Sequence, residues 1–188
     1  MAIDFSFRRK GVSKLTTSPG VYILADLNNV PVYVGQSTSS IRGRVQRHLT
    51  SARSDVIANR QIDVWEIAFV WAYPVKTNAM IGPLEAVLFH HYHPKSRLMN
   101  GTVPAKPSRR PKIPKPADVV QVMSDEEIAE KKGPELRLPR QAAHYAQLVS
   151  HFVSVKNSDQ VATSMDAHFE RLAKYHSAML GLSTPEKK

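Results

Sequence analysis

Two short apolar runs, Val21 to Ala25 and Val30 to Val34, flank Asp26-Leu27-Asn28-Asn29. β-rich segments on either side of an Asn/Asp turn predict a hairpin. Pro31 has no amide hydrogen to donate, which suits the second strand to a sheet edge. A Ser/Thr cluster, Ser37 to Ser40, then offers N-caps for a helix from about Ile41 to Ala52, with Ile41, Val45 and Leu49 as its buried stripe. At about 100° per residue, Arg44 and His48 fall together on one shoulder of that stripe. Residues Val64 to Tyr73 alternate, with Trp65, Ile67, Phe69, Trp71 and Tyr73 on one side, which predicts a third strand with one strongly apolar face. Pro83 fits the first turn of a further helix, along which Leu84, Val87, Leu88 and His91 recur as far as Pro94. The order β-β-α-β-α predicts an α+β fold, a small mixed or antiparallel three-stranded sheet flanked by helices.

The pattern changes after residue 103. Residues 104–116, PAKPSRRPKIPKP, hold five prolines and five basic residues, too stiff and polar for a core element, and predict an extended linker or arm. Ser124 with Glu127 three residues on is a capping-box pattern, and two helices are expected beyond it. The first, about Pro139 to Val153, would place Ala142, Tyr145, Ala146, Val149 and Phe152 on one face. The second, about Val161 to Leu180, spaces Val161, Met165, His168, Leu172, Tyr175 and Met179 by alternating fours and threes, a helix–helix seam that closes either a hairpin or a homodimer. The expected division is a domain at 1–103, a basic Pro-rich linker at 104–116 and a helical region at 117–188.

Charge adds a partner to this picture. The chain of 188 residues carries a formal +10, of which residues 1–103 contribute +6, residues 104–116 contribute +5 and residues 117–188 contribute −1. A basic first half and arm point to a polyanion bound through phosphate contacts and counterion release. Arg109 and Arg110, with Lys112 and Lys115, are placed to track such a backbone. The chain has no cysteine, which excludes disulfides, thiol nucleophiles and Cys-ligated zinc. No run reaches membrane-spanning length and no secretory leader is visible, so a cytoplasmic protein is expected.

Spaced positions from Gly20 to Asn100 carry a resemblance. The hairpin reads Gly20-Val21-Tyr22 and Tyr33-Val34-Gly35, the next helix reads Arg44-Val45-Gln46-Arg47-His48, and the later helix opens with Leu84-Glu85, followed by Tyr92, His93-Pro94 and Asn100. In this order the motifs resemble those of the GIY-YIG nuclease superfamily, over about half of the chain. The resemblance implies a DNA endonuclease with Tyr22 activating the nucleophile, Tyr33 positioning water or phosphate, Arg44 stabilising the transition state and Glu85 holding Mg2+ or Mn2+. His48 is then the partner of Tyr22 or a proton shuttle. Gly35, Gln36, Arg42 and Asn100 are the expected substrate contacts, with Arg109 and Arg110 from the arm. Gln36 stands where many relatives carry a lysine or a small residue. One extra residue before the helix arginine leaves Arg42 and Arg44 as competing candidates.

The residue types suit that chemistry on their own terms. Hydrolysing a phosphodiester requires a nucleophile made from water, a cation for the charge growing on the phosphoryl oxygens and stabilisation of the leaving oxygen. Between Asp63 and Asp118 the only acidic residues are Glu66 and Glu85. A single protein carboxylate suits Mg2+, which keeps several waters and takes further ligands from substrate phosphate. His90, His91 and His93 fan apart on a helix and lack a second cluster to complete a zinc site. A non-catalytic nucleic-acid-binding module with the same fold is the alternative, and RNA is the less favoured polymer because no aromatic RNP-type stacking motif is present.

Overall fold

A computed structural model describes residues 4–50, 60–109 and 111–182. Its helices and strands follow the order α1 (Phe5–Val12), β1 (Gly20–Ala25), β2 (Pro31–Ser37), α2 (Ile41–Thr50), β3 (Phe69–Pro74), α3 (Ile81–Tyr92), β4 (Asp118–Gln121), α4 (Asp125–Lys131), α5 (Pro134–Ser154) and α6 (Asp159–Met179). Short 3-10 turns lie at Val64–Glu66 and Asn78–Met80. The expected end of α2 at Ala52 lies outside the described residues.

The fold is α+β, but among the described residues the sheet has four strands rather than three, in the order β2-β1-β3-β4, with every neighbouring pair antiparallel. The strand missed by sequence is β4, four residues long, in which Val119 is exposed and Val120 buried. A single alternation is too short to show a period of two. The third strand also starts later than expected. Asp63 accepts a hydrogen bond from the Trp65 amide at 3.1 Å and caps the Val64–Glu66 turn, leaving only Phe69–Pro74 as strand.

Both faces of the sheet are covered, so β3 has no single apolar face. Tyr22, Leu24, Val70 and Ala72 pack with Ile41, Val45 and Leu49 of α2. On the other face Val21, Ile23, Val34 and Tyr73 pack with Ile81, Leu88 and Phe89 of α3. The edge of β2 is closed by the chain after α3. Met99 donates its amide to the Val32 carbonyl at 2.7 Å, and the Asn100 carboxamide accepts from the Val34 amide at 3.0 Å while donating to the Val34 carbonyl at 2.6 Å. An edge strand covered this way offers no free ladder to another chain. The described residues of the Pro-rich segment form neither helix nor strand, and the segment lies along α3: His90 donates to the Pro104 carbonyl at 2.8 Å and Ile113 packs into the second core.

The C-terminal helices dock through buried charge. Arg137 of α5 holds Glu66 through Nε and Nη2, at 2.8 Å for the shortest contact, and reaches Asp26 at 3.0 Å. Arg171 of α6 binds the same Asp26 oxygen and the Tyr175 hydroxyl. Asp26 thereby does two jobs, because its other oxygen accepts from the Asn28 and Val30 amides and shapes the β1–β2 turn. The buried stripe of α5 is Arg137, Gln141, His144 and Leu148, not the expected one, and Ala142 and Ala146 are exposed. In α6, Val161, His168 and Tyr175 are buried as expected, but with Ser164, Ala167 and Arg171, whereas Met179 is exposed. Most polar residues of these stripes meet partners beneath them: Asp26 and Glu66 for Arg137 and Arg171, the Gln61 carbonyl for Ser164 and His168, and the Arg60 carbonyl for His144. The two helices pack on each other within the chain.

Burial opposes ionisation of Asp26, yet Arg171 and Arg137 outweigh it and hold its carboxyl below the usual range. Breaking one partner out of such a network leaves uncompensated buried charge, so Arg171→Met should lower the unfolding free energy by about 3 kcal/mol or more, measured by urea titration. Burial also moves the His144 imidazole down and pulls His168 down to about 3. The unfolded chain, with an ordinary histidine near 6.5, then binds a proton that folded His168 refuses, so stability falls as pH drops below 6.5. Urea midpoints should decline from pH 8 to 5, and decline less in His168→Gln; equal slopes in the two proteins would contradict a neutral buried imidazole.

Candidate active site

The aromatic pair comes from strand register. Tyr22 lies opposite Gly35 and Leu24 opposite Tyr33, so the two tyrosines sit diagonally on the same face of the hairpin. Their ring centroids are 6.4 Å apart. Tyr22 is fully buried, and its side chain crosses over β2 at Gly35, where a Cβ would stand 2.3 Å from the phenolic oxygen. Only a glycine leaves that path open.

Helix α2 supplies the groups the tyrosines meet. Ser37 Oγ accepts from the Ser40 amide at 3.0 Å and Ser40 Oγ accepts from Gly43 at 3.1 Å, which fixes the helix start within the expected Ser/Thr cluster. Burying Ile41, Val45 and Leu49 then turns Arg44 and His48 toward the hairpin, as their spacing predicts. His48 is buried, and its Nε2 lies 2.6 Å from the Tyr22 hydroxyl. The His48 ring also stands 6.2 Å from the Tyr33 ring, edge to face.

These elements open on a cleft of about 410 Å³ lined by Tyr22, Tyr33, Gln36, Arg44, Glu85 and Asn100. Arg44 arrives from the helix on one face of the sheet and Glu85 from the helix on the other, and they meet beside the edge strand β2. Glu85 is half-buried, and that burial pushes its carboxyl up. Among the described residues no group of three or more His, Asp or Glu side chains gathers as a ready metal cage, and Glu85 is the one carboxylate on the cleft wall. The other acid of this region, Glu66, is committed to Arg137.

Other residues named from the sequence sit elsewhere or act differently. Arg42 donates through Nε to the Leu15 carbonyl at 2.7 Å and is not on the cleft wall, whereas Arg44 is. Gly35 packs beneath the Tyr22 hydroxyl, and the Asn100 carboxamide spends both its functions on the Val34 backbone. Arg109 is exposed on the Pro-rich segment and is not on the cleft wall itself, but it lines a neighbouring depression with Glu85 and Pro104, which are; Arg110 lies outside the described residues. His90 binds the Pro104 carbonyl, His91 pairs with Lys95 at 2.9 Å and His93 accepts from the Leu98 amide, so the three diverge. Sequence reasoning missed Gln61, Gly101, Thr102, Pro104 and Gln160, which complete the wall. No local pattern marks them, since Gln160 reaches the cleft only through the docking of α6.

Two outcomes follow from the packing. Gly35→Ala should drive the Tyr22 ring from His48 and cost about 1–3 kcal/mol of stability, read by thermal or urea unfolding. Gly43→Ala, whose added Cβ would meet nothing closer than 3.6 Å, should leave stability unchanged or raise it, as expected inside a helix.

No curated protein matches the chain. Residues 18–99 match the family model described as the GIY-YIG catalytic domain, the stretch that holds the hairpin, α2 and the Glu85 helix. This part of the chain belongs to the GIY-YIG nuclease superfamily.

Proposed function

We propose that this protein is a metal-dependent endonuclease that hydrolyses phosphodiester bonds in DNA. The observation that carries the reading is the convergence of Tyr22, Tyr33, Arg44 and Glu85 on one cleft, with His48 at 2.6 Å behind the Tyr22 hydroxyl. A guanidinium and a single carboxylate on a polar wall suit a phosphate bridged to a cation better than any neutral ligand. Arg44 holds the scissile phosphate through its planar fork and stabilises charge that grows in the transition state. As the Tyr22 oxygen takes a proton from the attacking water, it passes its own to His48 Nε2, which relieves the weak basicity of a phenol. Tyr33 orients the water or a phosphoryl oxygen. Mg2+ or Mn2+, held by Glu85 with its remaining ligands from water and substrate, would neutralise phosphoryl oxygens and acidify water. The new bond joins the water oxygen to phosphorus, and the ester oxygen leaves.

Outside the cleft, Lys106, Arg109, Lys112 and Lys115 are exposed along the Pro-rich segment and add sequence-independent phosphate contacts. One cleft of this kind cuts one strand. A double-strand break then takes successive nicks or a second copy, and the outer surface of α5 and α6 is where we place such a contact. No helix among the described residues is long and apolar enough to cross a membrane, and we assign the activity to the cytoplasm.

Supercoiled plasmid incubated with and without Mg2+ tests the reading. Metal-dependent nicking is expected, falling on the order of 100-fold or more in Arg44→Ala and Glu85→Ala. Arg42→Ala should keep most of the activity. Salt-sensitive plasmid binding without nicking would favour a non-catalytic binding module instead.

A further inference from the structure

The cleft has a second set of residues that phosphodiester chemistry does not use. Gln61 is 8 % exposed, and among the described residues its carboxamide makes no hydrogen bond; only its backbone carbonyl is engaged, by Ser164 and His168. Yet that side chain lines the cleft. With no protein group to satisfy it, this amide is left for water or a ligand entering the cleft. Its place is built, because a Cβ at Gly101 would come within 2.6 Å of Gln61 Nε2 and 3.0 Å of the Gln160 carbonyl. Beside it, Gln160 reaches in from the start of α6, with its Nε2 at 3.5 Å from Thr102 Oγ1.

We infer that Gln61 and Gln160 form a nucleobase subsite that reads the base next to the scissile phosphate. This inference rests on the endonuclease reading for its substrate, though not for its test. The chemistry points to a base and not to a second phosphate. A phosphate only accepts hydrogen bonds from the protein and favours cations, whereas this wall is uncharged and each carboxamide offers a donor and an acceptor side by side. That pairing matches the edge of a base, and adenine above all, through its N6 donor and N7 acceptor. The cleft volume of about 410 Å³ falls within the range of small-ligand sites and admits a base unstacked from the strand. The C-terminal helices thus become part of substrate selection, since Gln160 stands on α6 and the Gln61 backbone is held by Ser164 and His168 of the same helix.

Nitrogen-15 NMR of the full chain follows the side-chain amide signals of Gln61 and Gln160 while tetranucleotides carrying A, C, G or T at one inner position are added without metal. The expected result is that both signals shift, most strongly with one base, and that an abasic tetranucleotide of equal phosphate count leaves them in place. Equal shifts with the abasic strand, or none with any strand, would overturn the subsite, whatever the cleavage assay shows. Sequencing of cut ends supplies the second arm. Wild type should favour one base beside the cut by roughly tenfold or more, and Gln61→Ala or Gln160→Ala should reduce that preference below threefold. A preference unchanged in both variants, each folded by circular dichroism, would also overturn it. Loss of all nicking in wild type, with the base-dependent shifts intact, would instead remove the endonuclease reading and leave a base-binding cleft.

Discussion

Gly35 has no side chain, and the Tyr22 ring fills the space that one would take. This close approach between two paired strands lets a tyrosine on β1 pass over β2 and place its hydroxyl against His48 on α2. The glycine in the second motif therefore acts through packing. It binds nothing itself, yet without it the phenol and the imidazole could not share a proton. The same strand, β2, is the sheet edge, which is why groups from opposite faces of the sheet, Arg44 and Glu85, can overlook one cleft.

The second constraint is electrostatic and lies at the far end of the hairpin. Asp26, Glu66, Arg137 and Arg171 form a buried cluster that fastens α5 and α6 to the β1–β2 turn. Such a cluster adds little net stability compared with an apolar contact of the same shape, but it fixes one arrangement, because misplaced charges would be stranded without partners. Fixing the arrangement matters here because α6 carries Gln160 to the cleft wall. The hairpin turn, the docked helices and the polar end of the cleft are thus linked through one carboxylate, Asp26.

The local parts of this structure were legible in the chain. Tyr22 and Tyr33 lay in a readable hairpin, and the stripe of Ile41, Val45 and Leu49 set where Arg44 and His48 would point. What escaped depended on partners distant in sequence. The stripes Arg137, Gln141, His144, Leu148 and Ser164, His168, Arg171, Tyr175 have helical spacing, but a hydropathy pattern counts them as solvent-facing until Asp26, Asp63 and Glu66 are known to lie beneath them. The fourth strand escaped for a similar reason, being too short to show alternation and paired across the whole Pro-rich segment. Gln61 carried no signal, since its place on the cleft wall depends on Gly101 and on the docking of α6, both far from it in sequence.

The central claim is that a phenol, a guanidinium and one carboxylate act on a single phosphodiester. A crystal structure of Tyr22→Phe with an uncleaved DNA duplex and Mn2+ tests it most directly. The account predicts one phosphate against Arg44 and an anomalous manganese peak at the Glu85 carboxylate, within the same cleft. DNA bound only along the Pro-rich segment, with the manganese elsewhere, would contradict it.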